Sequence, residues 1–102
     1  MKYYKVEWLE IFAKIETIKD NLQHSDFRFY GMDNNAKIIT YLLGKHCDDP
    51  NEADIFIGSV YDNDLEFSYF TEKWGDKEFC FFYNKEIEHK NKKIVFPWEI
   101  IK

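Results

Sequence analysis

Acidic side chains crowd into one window of the chain. Residues 47–72 carry eight Asp and Glu residues and no Lys or Arg, whereas the whole chain of 102 residues has a formal charge of −5. Carboxylates at this density could bind a metal ion, act as acid and base, or form a surface for a basic partner. The acidic residues are Asp48, Asp49, Glu52, Asp54, Asp62, Asp64, Glu66 and Glu72.

Metal binding is the first chemistry to consider. Asp62, Asp64 and Glu66 stand at alternate positions, as at the start of an EF-hand calcium loop. That loop needs glycine at its sixth position, where this chain has Phe67, and no flanking helix pair is predicted. The three histidines and two cysteines lack the spacing of zinc ligands. We therefore expect no metal and no other cofactor.

Only short residue pairs in this chain could support catalysis, and no complete catalytic motif accompanies them. Glu88-x-Lys90 resembles the acid–x–lysine arrangement of some nucleases, but so short a match is expected by chance in a chain rich in Glu and Lys. Cys47 follows His46 and could act as a nucleophile beside a base, although its acidic setting is unsuited to a reactive thiolate. The glycines stand singly and form no phosphate-binding loop. We therefore expect a protein that is not an enzyme.

The overall charge argues against nucleic acid as a direct partner, because phosphate binding needs clustered Lys and Arg. The one basic cluster in the sequence, residues 90–93, is diluted by Glu86 and Glu88. No apolar run reaches the about 20 residues of a membrane helix, and the N-terminus lacks the pattern of a signal peptide. We expect a cytoplasmic protein with no membrane contact, with free thiols, and with Cys80 buried.

The N-terminal segment is predicted to be a long helix packed against a sheet. Apolar side chains recur at spacings of three and four residues from Tyr4 to Leu22. Because Trp8 and Phe12 fall on this stripe, we expect the stripe to be buried.

The remainder of the chain reads as strands and turns. Predicted strands cover 24–32, 55–61, 65–71 and 78–84, and a short strand from residue 93 ends at Pro97. Residues 36–43 favour a strand in a hairpin, although Asn34 could instead cap a helix that ends at Gly44. Short connections predict an antiparallel meander. The expected fold is α+β: a single domain, residues 1–102, with one long N-terminal helix packed on an antiparallel sheet of about five or six strands.

Aromatic residues give the acidic window the character of a protein-binding site. One helix covers only one face of the predicted sheet, so some aromatics are left on the other face or at the edges. Trp74 falls in a predicted turn, where it either folds back over the sheet edge or forms a binding hot spot. The loop before strand 55–61 and the turn after it lie at opposite ends of that strand, and we favour the longer, adaptable loop as the contact. The predicted partner-binding residues are Asp48, Asp49, Glu52, Asp54, Asp62, Asp64, Glu66, Tyr69 and Trp74.

In its size, acidity and lack of a catalytic motif, the chain resembles small acidic bacterial inhibitors. These include immunity proteins that neutralise toxin domains and phage proteins that block host nucleases. The resemblance implies a protein that binds and neutralises a basic bacterial toxin, with a nuclease domain as the expected partner. One alternative is a phage-encoded nucleic-acid mimic that inhibits a host defence nuclease or DNA-handling protein. Another is a small ligand-binding domain or enzyme with a pocket between helix and sheet. The sequence also leaves a homodimer open.

Overall fold

Three helices and five strands make up the described part of the chain. The structure is a computed structural model and describes residues 2–21, 26–62 and 65–99. Its class is α+β, and strands at 55–61 and 78–84 are confirmed. The elements are β1 (Lys2–Lys5), α1 (Trp8–Asn21), β2 (Phe29–Gly31), α2 (Asn34–Leu43), β3 (Ile55–Tyr61), α3 (Leu65–Lys73), β4 (Glu78–Asn84) and β5 (Lys92–Val95).

The predicted antiparallel meander is wrong, because all the strand pairs among the described residues are parallel. β2, β3 and β4 form one sheet in that order, with Ile57 opposite Cys80. β1 and β5 form a second sheet, with Lys2 opposite Lys92. Parallel neighbours need a crossover between them, and α2 and α3 are the crossovers of the larger sheet.

Residues 36–43 form α2 and not the favoured strand. Its buried residues, Ala36, Ile39, Thr40 and Leu43, follow a helical spacing. The N-cap is Asp33, whose Oδ1 accepts a hydrogen bond of 2.8 Å from the Ala36 N–H. Gly44 ends the helix with a φ of 83°, a conformation that glycine adopts without steric cost. The alternative helix between Asn34 and Gly44 is therefore the correct interpretation, with the cap one residue earlier.

Residues 65–73 form α3, so the predicted strand at 65–71 is also wrong. Phe67, Phe70 and Trp74 recur at spacings of three and four and turn toward the sheet, where Phe70 and Trp74 contact Phe56. The same residues alternate in part, and aromatics favour strands, which explains the error.

The two crossover helices cover opposite faces of the larger sheet. Gly31 approaches the backbone of α2 so closely that an added Cβ would lie 2.6 Å from the Lys37 nitrogen. Tyr30, the next residue back, points to the other face and contacts Phe70 of α3. Since the strands are parallel and in sequential order, the two crossovers must have opposite hands. One of them departs from the right-handed rule that about 98% of such units obey.

The N-terminal helix is shorter and less buried than its sequence predicts. α1 begins at Trp8, and Tyr4 lies in β1. Ile11 and Ile15 join the main core, whereas Trp8 and Phe12 stay 45% and 50% exposed. Within the described ranges, no helix has the length and apolar character needed to cross a bilayer.

Both cysteines are free thiols. Cys47 is buried and its Sγ donates to the Asp49 carbonyl at 3.2 Å. Cys80, which we expected to be buried, is half-buried beside a groove of ≈ 180 Å³ between α1 and the sheet. Burial raises the pKa of the Cys80 thiol, and the Lys14 ammonium partly opposes that rise.

Candidate functional site

The acidic loop, residues 48–54, crosses the edge of the larger sheet where its strands begin. It leads directly into β3, so it lies at the amino end of that strand. All four of its carboxylates, those of Asp48, Asp49, Glu52 and Asp54, belong to exposed residues. Ala53 between them is fully buried and anchors the loop to the core.

His46 holds Asp48 in place. We call the contacts of His46 with Thr40 and Asp48 the His46 clasp. The Nε2 of His46 lies 2.6 Å from Asp48 Oδ1, and its Nδ1 lies 2.7 Å from Thr40 Oγ1. Tyr41 stacks on the imidazole at 4.0 Å between ring centres and is itself 65% exposed. The clasp fixes Asp48 beside an exposed aromatic ring, although the Asp48 side chain remains 87% exposed.

The rest of the loop is tied down by its own backbone and by Arg28. Asp49 Oδ1 accepts from the Asn51 N–H at 2.9 Å, which closes a tight turn. Asp54 Oδ2 accepts from the Arg28 N–H at 2.9 Å, and the Arg28 guanidinium lies 3.5 Å from the Glu52 carboxylate. This loop is thus more constrained than the adaptable segment that its polar sequence predicts.

Trp74 joins the loop to α3. Its Nε1 donates to Asn51 Oδ1 at 3.0 Å, and its ring stacks on Phe70 at 5.7 Å. Lys77, just beyond, donates from Nζ to the Ala53 carbonyl at 2.7 Å. Of the two interpretations of Trp74, the structure supports the one in which it folds back over the sheet edge, with part of its surface still accessible.

Tyr69 lies on α3, five residues before Trp74, and faces solvent. It is 54% exposed and contacts the Trp74 ring edge at 6.4 Å. Lys73 Nζ lies 5.7 Å from the Tyr69 ring centre and 5.1 Å from that of Trp74. The Lys73 ammonium therefore already lies over both rings.

The acidic turn that follows β3 lies away from the loop. Asp62 is exposed and sits 3.6 Å from Lys85 Nζ. Asp64 and the side chain of Glu66 lie outside the described residues. β3 has seven residues and so separates loop from turn by about 20 Å at about 3.3 Å per residue. The structure thus brings together the loop acids, Tyr69 and Trp74. It leaves Asp62 at the opposite end of β3, just before α3 begins.

The polar side chains that lie close together in this region are not arranged for catalysis. Thr40, His46 and Asp48 follow the order of a nucleophile, base and orienting acid. However, Thr40 is fully buried, and its Oγ1 also lies 2.7 Å from the Lys37 carbonyl, so it has no open side for a substrate. Among the described residues, no group of three or more His, Cys, Asp or Glu side chains is arranged to hold a metal ion.

The cavity between α3 and the sheet is small. It measures ≈ 30 Å³ and is lined by Met32, Asp33, Gly58 and the aromatic rings around them. A volume of this size accommodates about one or two waters. The groove between α1 and the sheet is larger, ≈ 180 Å³, but is still below the about 300–1,000 Å³ of ordinary ligand sites.

Sequence reasoning missed the residues that support the acids. Tyr41, His46 and Arg28 lie outside the acidic window, and their roles depend on β2 lying next to the loop. Phe29 pairs with His46 in an isolated parallel bridge, and nothing in the local pattern of either segment signals that pairing. Comparison with protein-family models, curated proteins and solved structures finds no match.

Proposed function

We propose that this chain is an immunity- or antitoxin-type protein that binds and neutralises a basic bacterial toxin, with a nuclease domain as its target. Its contact would be the acid–aromatic surface, defined as the acidic loop 48–54 together with Tyr41, Tyr69 and Trp74. The observation that carries the proposal is the way the loop is built. Four carboxylates are kept exposed on a fixed backbone, beside aromatic rings that are partly open to solvent.

The helices add to the negative potential of this surface. In a unit of parallel strands joined by helices, each helix runs back toward the start of the next strand. The carboxyl ends of α2 and α3, at Leu43 and Lys73, therefore flank the loop. A helix carries a partial negative charge of about half a unit at that end. Three cations offset part of this charge: Lys73 in the last turn of α3, and Arg28 and Lys77, which donate to carbonyl groups of the loop. The Arg28 side chain is itself 49% exposed.

Such a surface is complementary in charge to the active site of a nuclease, which is cationic because it holds phosphates. Opposite potentials raise the association rate, and that gain falls with ionic strength. Rigid loop carboxylates lose little conformational entropy on binding, which favours affinity. Aromatic side chains such as Tyr69 and Tyr41 would supply desolvated contact area between the charges.

An affinity capture followed by an enzyme assay tests this function. The immobilised protein is exposed to lysate of its own cell type, and the captured proteins are eluted with salt and identified. We expect a basic protein that cleaves nucleic acid, and we expect equimolar addition of this chain to abolish that cleavage. Capture of a partner whose nuclease activity is absent or unaffected would refute the proposal.

A pair of tyrosine variants then tests where the contact lies. Tyr69→Ala removes an exposed ring from the acid–aromatic surface, and Tyr3→Ala removes a similarly exposed ring from β1. We expect the first variant to weaken inhibition at least about tenfold, as for a hot-spot tyrosine, and the second to leave it unchanged.

A further inference from the structure

The N-terminal half of α1 carries a group of apolar side chains that stay open to solvent. Trp8, Leu9 and Phe12 are 45%, 81% and 50% exposed. Residues three and four positions apart are neighbours on a helix surface, so these side chains form one continuous area. We call it the α1 patch: Trp8, Leu9 and Phe12. A contiguous exposed apolar area of this kind marks an interaction surface.

The aromatic rings of the α1 patch are held in place by a row of stacked rings. The row starts in the core at Phe96, which is 1% exposed and stacks on Trp98 at 5.0 Å between ring centres. Trp98 contacts Trp8 at 5.8 Å, and Trp8 stacks on Phe12 at 5.8 Å. The Trp98 Nε1 also donates to Asn35 Oδ1 at 2.8 Å. Exposed rings fixed in this way lose little conformational entropy when a partner covers them.

A groove of ≈ 390 Å³ adjoins the α1 patch. Trp8 forms one of its walls, and Val95, Phe96 and Pro97 form others. Leu9, the next residue after Trp8, projects into solvent beside it. A two-fold contact brings the same surface of both copies face to face, so each copy must offer a protrusion and a place to receive one. The α1 patch and the groove supply both on one surface.

The charged residues beside the patch have both signs. Lys5, Glu7 and Glu99 line the groove, and further along the exposed side of α1, Glu16 and Lys19 add one charge of each sign. In a two-fold contact, a lysine of one copy can meet a glutamate of the other. An anionic lipid surface would instead meet the exposed carboxylates of the groove, and a basic partner is drawn to the four carboxylates of the acidic loop. Charge therefore favours a second copy of this chain as the occupant.

The apolar area of the patch is sufficient for a weak dimer. Two half-exposed aromatic rings and a largely exposed leucine present about 300 Å² of apolar surface. A standard interface buries about 800 Å² per partner, and about 65% of a homodimer interface is apolar. The α1 patch thus supplies more than half of that apolar share, and the walls of the groove add to it.

We propose that the α1 patch is a homodimer interface, on which a second copy of this chain docks across a two-fold axis. The patch lies beside the start of α2, where Trp98 bonds to Asn35, whereas the His46 clasp and the acidic loop lie beside its end. The ten residues of α2 separate the two surfaces by about 15 Å at about 1.5 Å per residue. The dimer therefore leaves the acid–aromatic surface of each copy free, and the proposal is independent of the proposed function.

Sedimentation velocity of the full chain between about 1 µM and about 1 mM tests the interface. We expect the mass of the wild type to rise toward that of two chains, with a dissociation constant of about 10–100 µM. Leu9→Glu should weaken association at least about tenfold, because it places a charge in the apolar contact. Its matched control is Ile87→Glu, which makes the same change of charge at a residue that is 78% exposed and lies outside the patch, and which should associate as the wild type does.

Three results would overturn the proposal. The first is a wild type that remains monomeric over the whole range. The second is equal loss of association in Leu9→Glu and Ile87→Glu, and the third is growth beyond two chains, since a two-fold contact is closed. A monomeric wild type that binds vesicles of neutral phosphatidylcholine would identify a lipid surface as the occupant instead.

Discussion

The His46 clasp is the contact on which the geometry of the acidic loop most depends at the scale of single residues. A carboxylate only accepts hydrogen bonds, so the His46 Nε2 that faces Asp48 must carry a proton. The single Thr40 hydroxyl proton has two acceptors within 2.7 Å, His46 Nδ1 and the Lys37 carbonyl. Through these contacts His46 joins Thr40 of α2 to Asp48 of the acidic loop.

Removal of the imidazole should loosen the loop and lower stability. We expect His46→Ala to reduce the free energy of unfolding by about 1–3 kcal/mol, because Thr40 and Asp48 lose a partner and the Tyr41 stack disappears. Urea denaturation measures the change. Thr17→Ala removes one exposed side-chain hydrogen bond on α1 and should cost no more than about 0.5 kcal/mol. Equal stability of His46→Ala and wild type would contradict the clasp.

Tyr4 should ionise later than an ordinary tyrosine. Its hydroxyl donates a hydrogen bond to Glu10, which with burial and the nearby carboxylates raises the pKa of Tyr4 to about 12 from 10.0. Because the folded-state pKa lies above the unfolded one, this contribution to stability is complete below pH 10 and is lost as pH rises through 12. The ultraviolet titration of wild type minus that of Tyr4→Phe isolates this group. A midpoint near 10 in folded protein would show that the contact with Glu10 is absent.

At the scale of elements, Asp33 connects α2 to the sheet. Its Oδ1 caps the helix through the Ala36 N–H, and its Oδ2 accepts from the Ser59 N–H of β3 at 3.1 Å. Asp33→Ala should cost about 1–3 kcal/mol in unfolding free energy, since a cap is lost and a buried N–H loses its partner. Asn34→Ala, at the next and exposed position, should cost less than about 0.5 kcal/mol. The reverse order of the two costs would mean that Asn34 is the cap.

Local sequence patterns identified those elements whose periodicity has a single interpretation. Residues 55–61 form a continuous apolar run with turn residues on either side, and they form β3. Residues 65–71 fit two periods at once, and contact of Phe67 and Phe70 with the aromatic face of the sheet selects the helix. Strand direction was beyond prediction because it depends on crossovers, and hence on α2 and α3. For the site, the acids are visible in the sequence, but Arg28 and His46 become supports only through the pairing of distant segments.

For the molecule as a whole, negative charge is concentrated where the larger sheet begins. The acidic loop lies directly before β3. Residues 47–72 carry eight acids and no Lys or Arg, so with a net charge of −5 for the whole chain the remaining residues sum to +3. An uneven distribution of this kind orients the molecule in the field of a charged partner, so that a basic partner meets the acidic loop first.

The acidic loop is the proposed contact with a basic partner, and removal of two of its charges tests this role. Asp48→Asn/Glu52→Gln keeps the side-chain shapes but removes two exposed negative charges, those of residues 87% and 61% exposed. Glu16→Gln/Asp20→Asn removes two charges from the exposed face of α1 and is the matched control.

The measurement is the affinity of these two variants and of wild type for the captured nuclease over a range of salt concentrations. We predict that the loop variant binds at least about tenfold more weakly at low salt and with a shallower salt dependence, because long-range attraction is lost. The control should match wild type in both respects. If all three proteins bind with the same affinity and the same salt dependence, the acidic loop is not the contact.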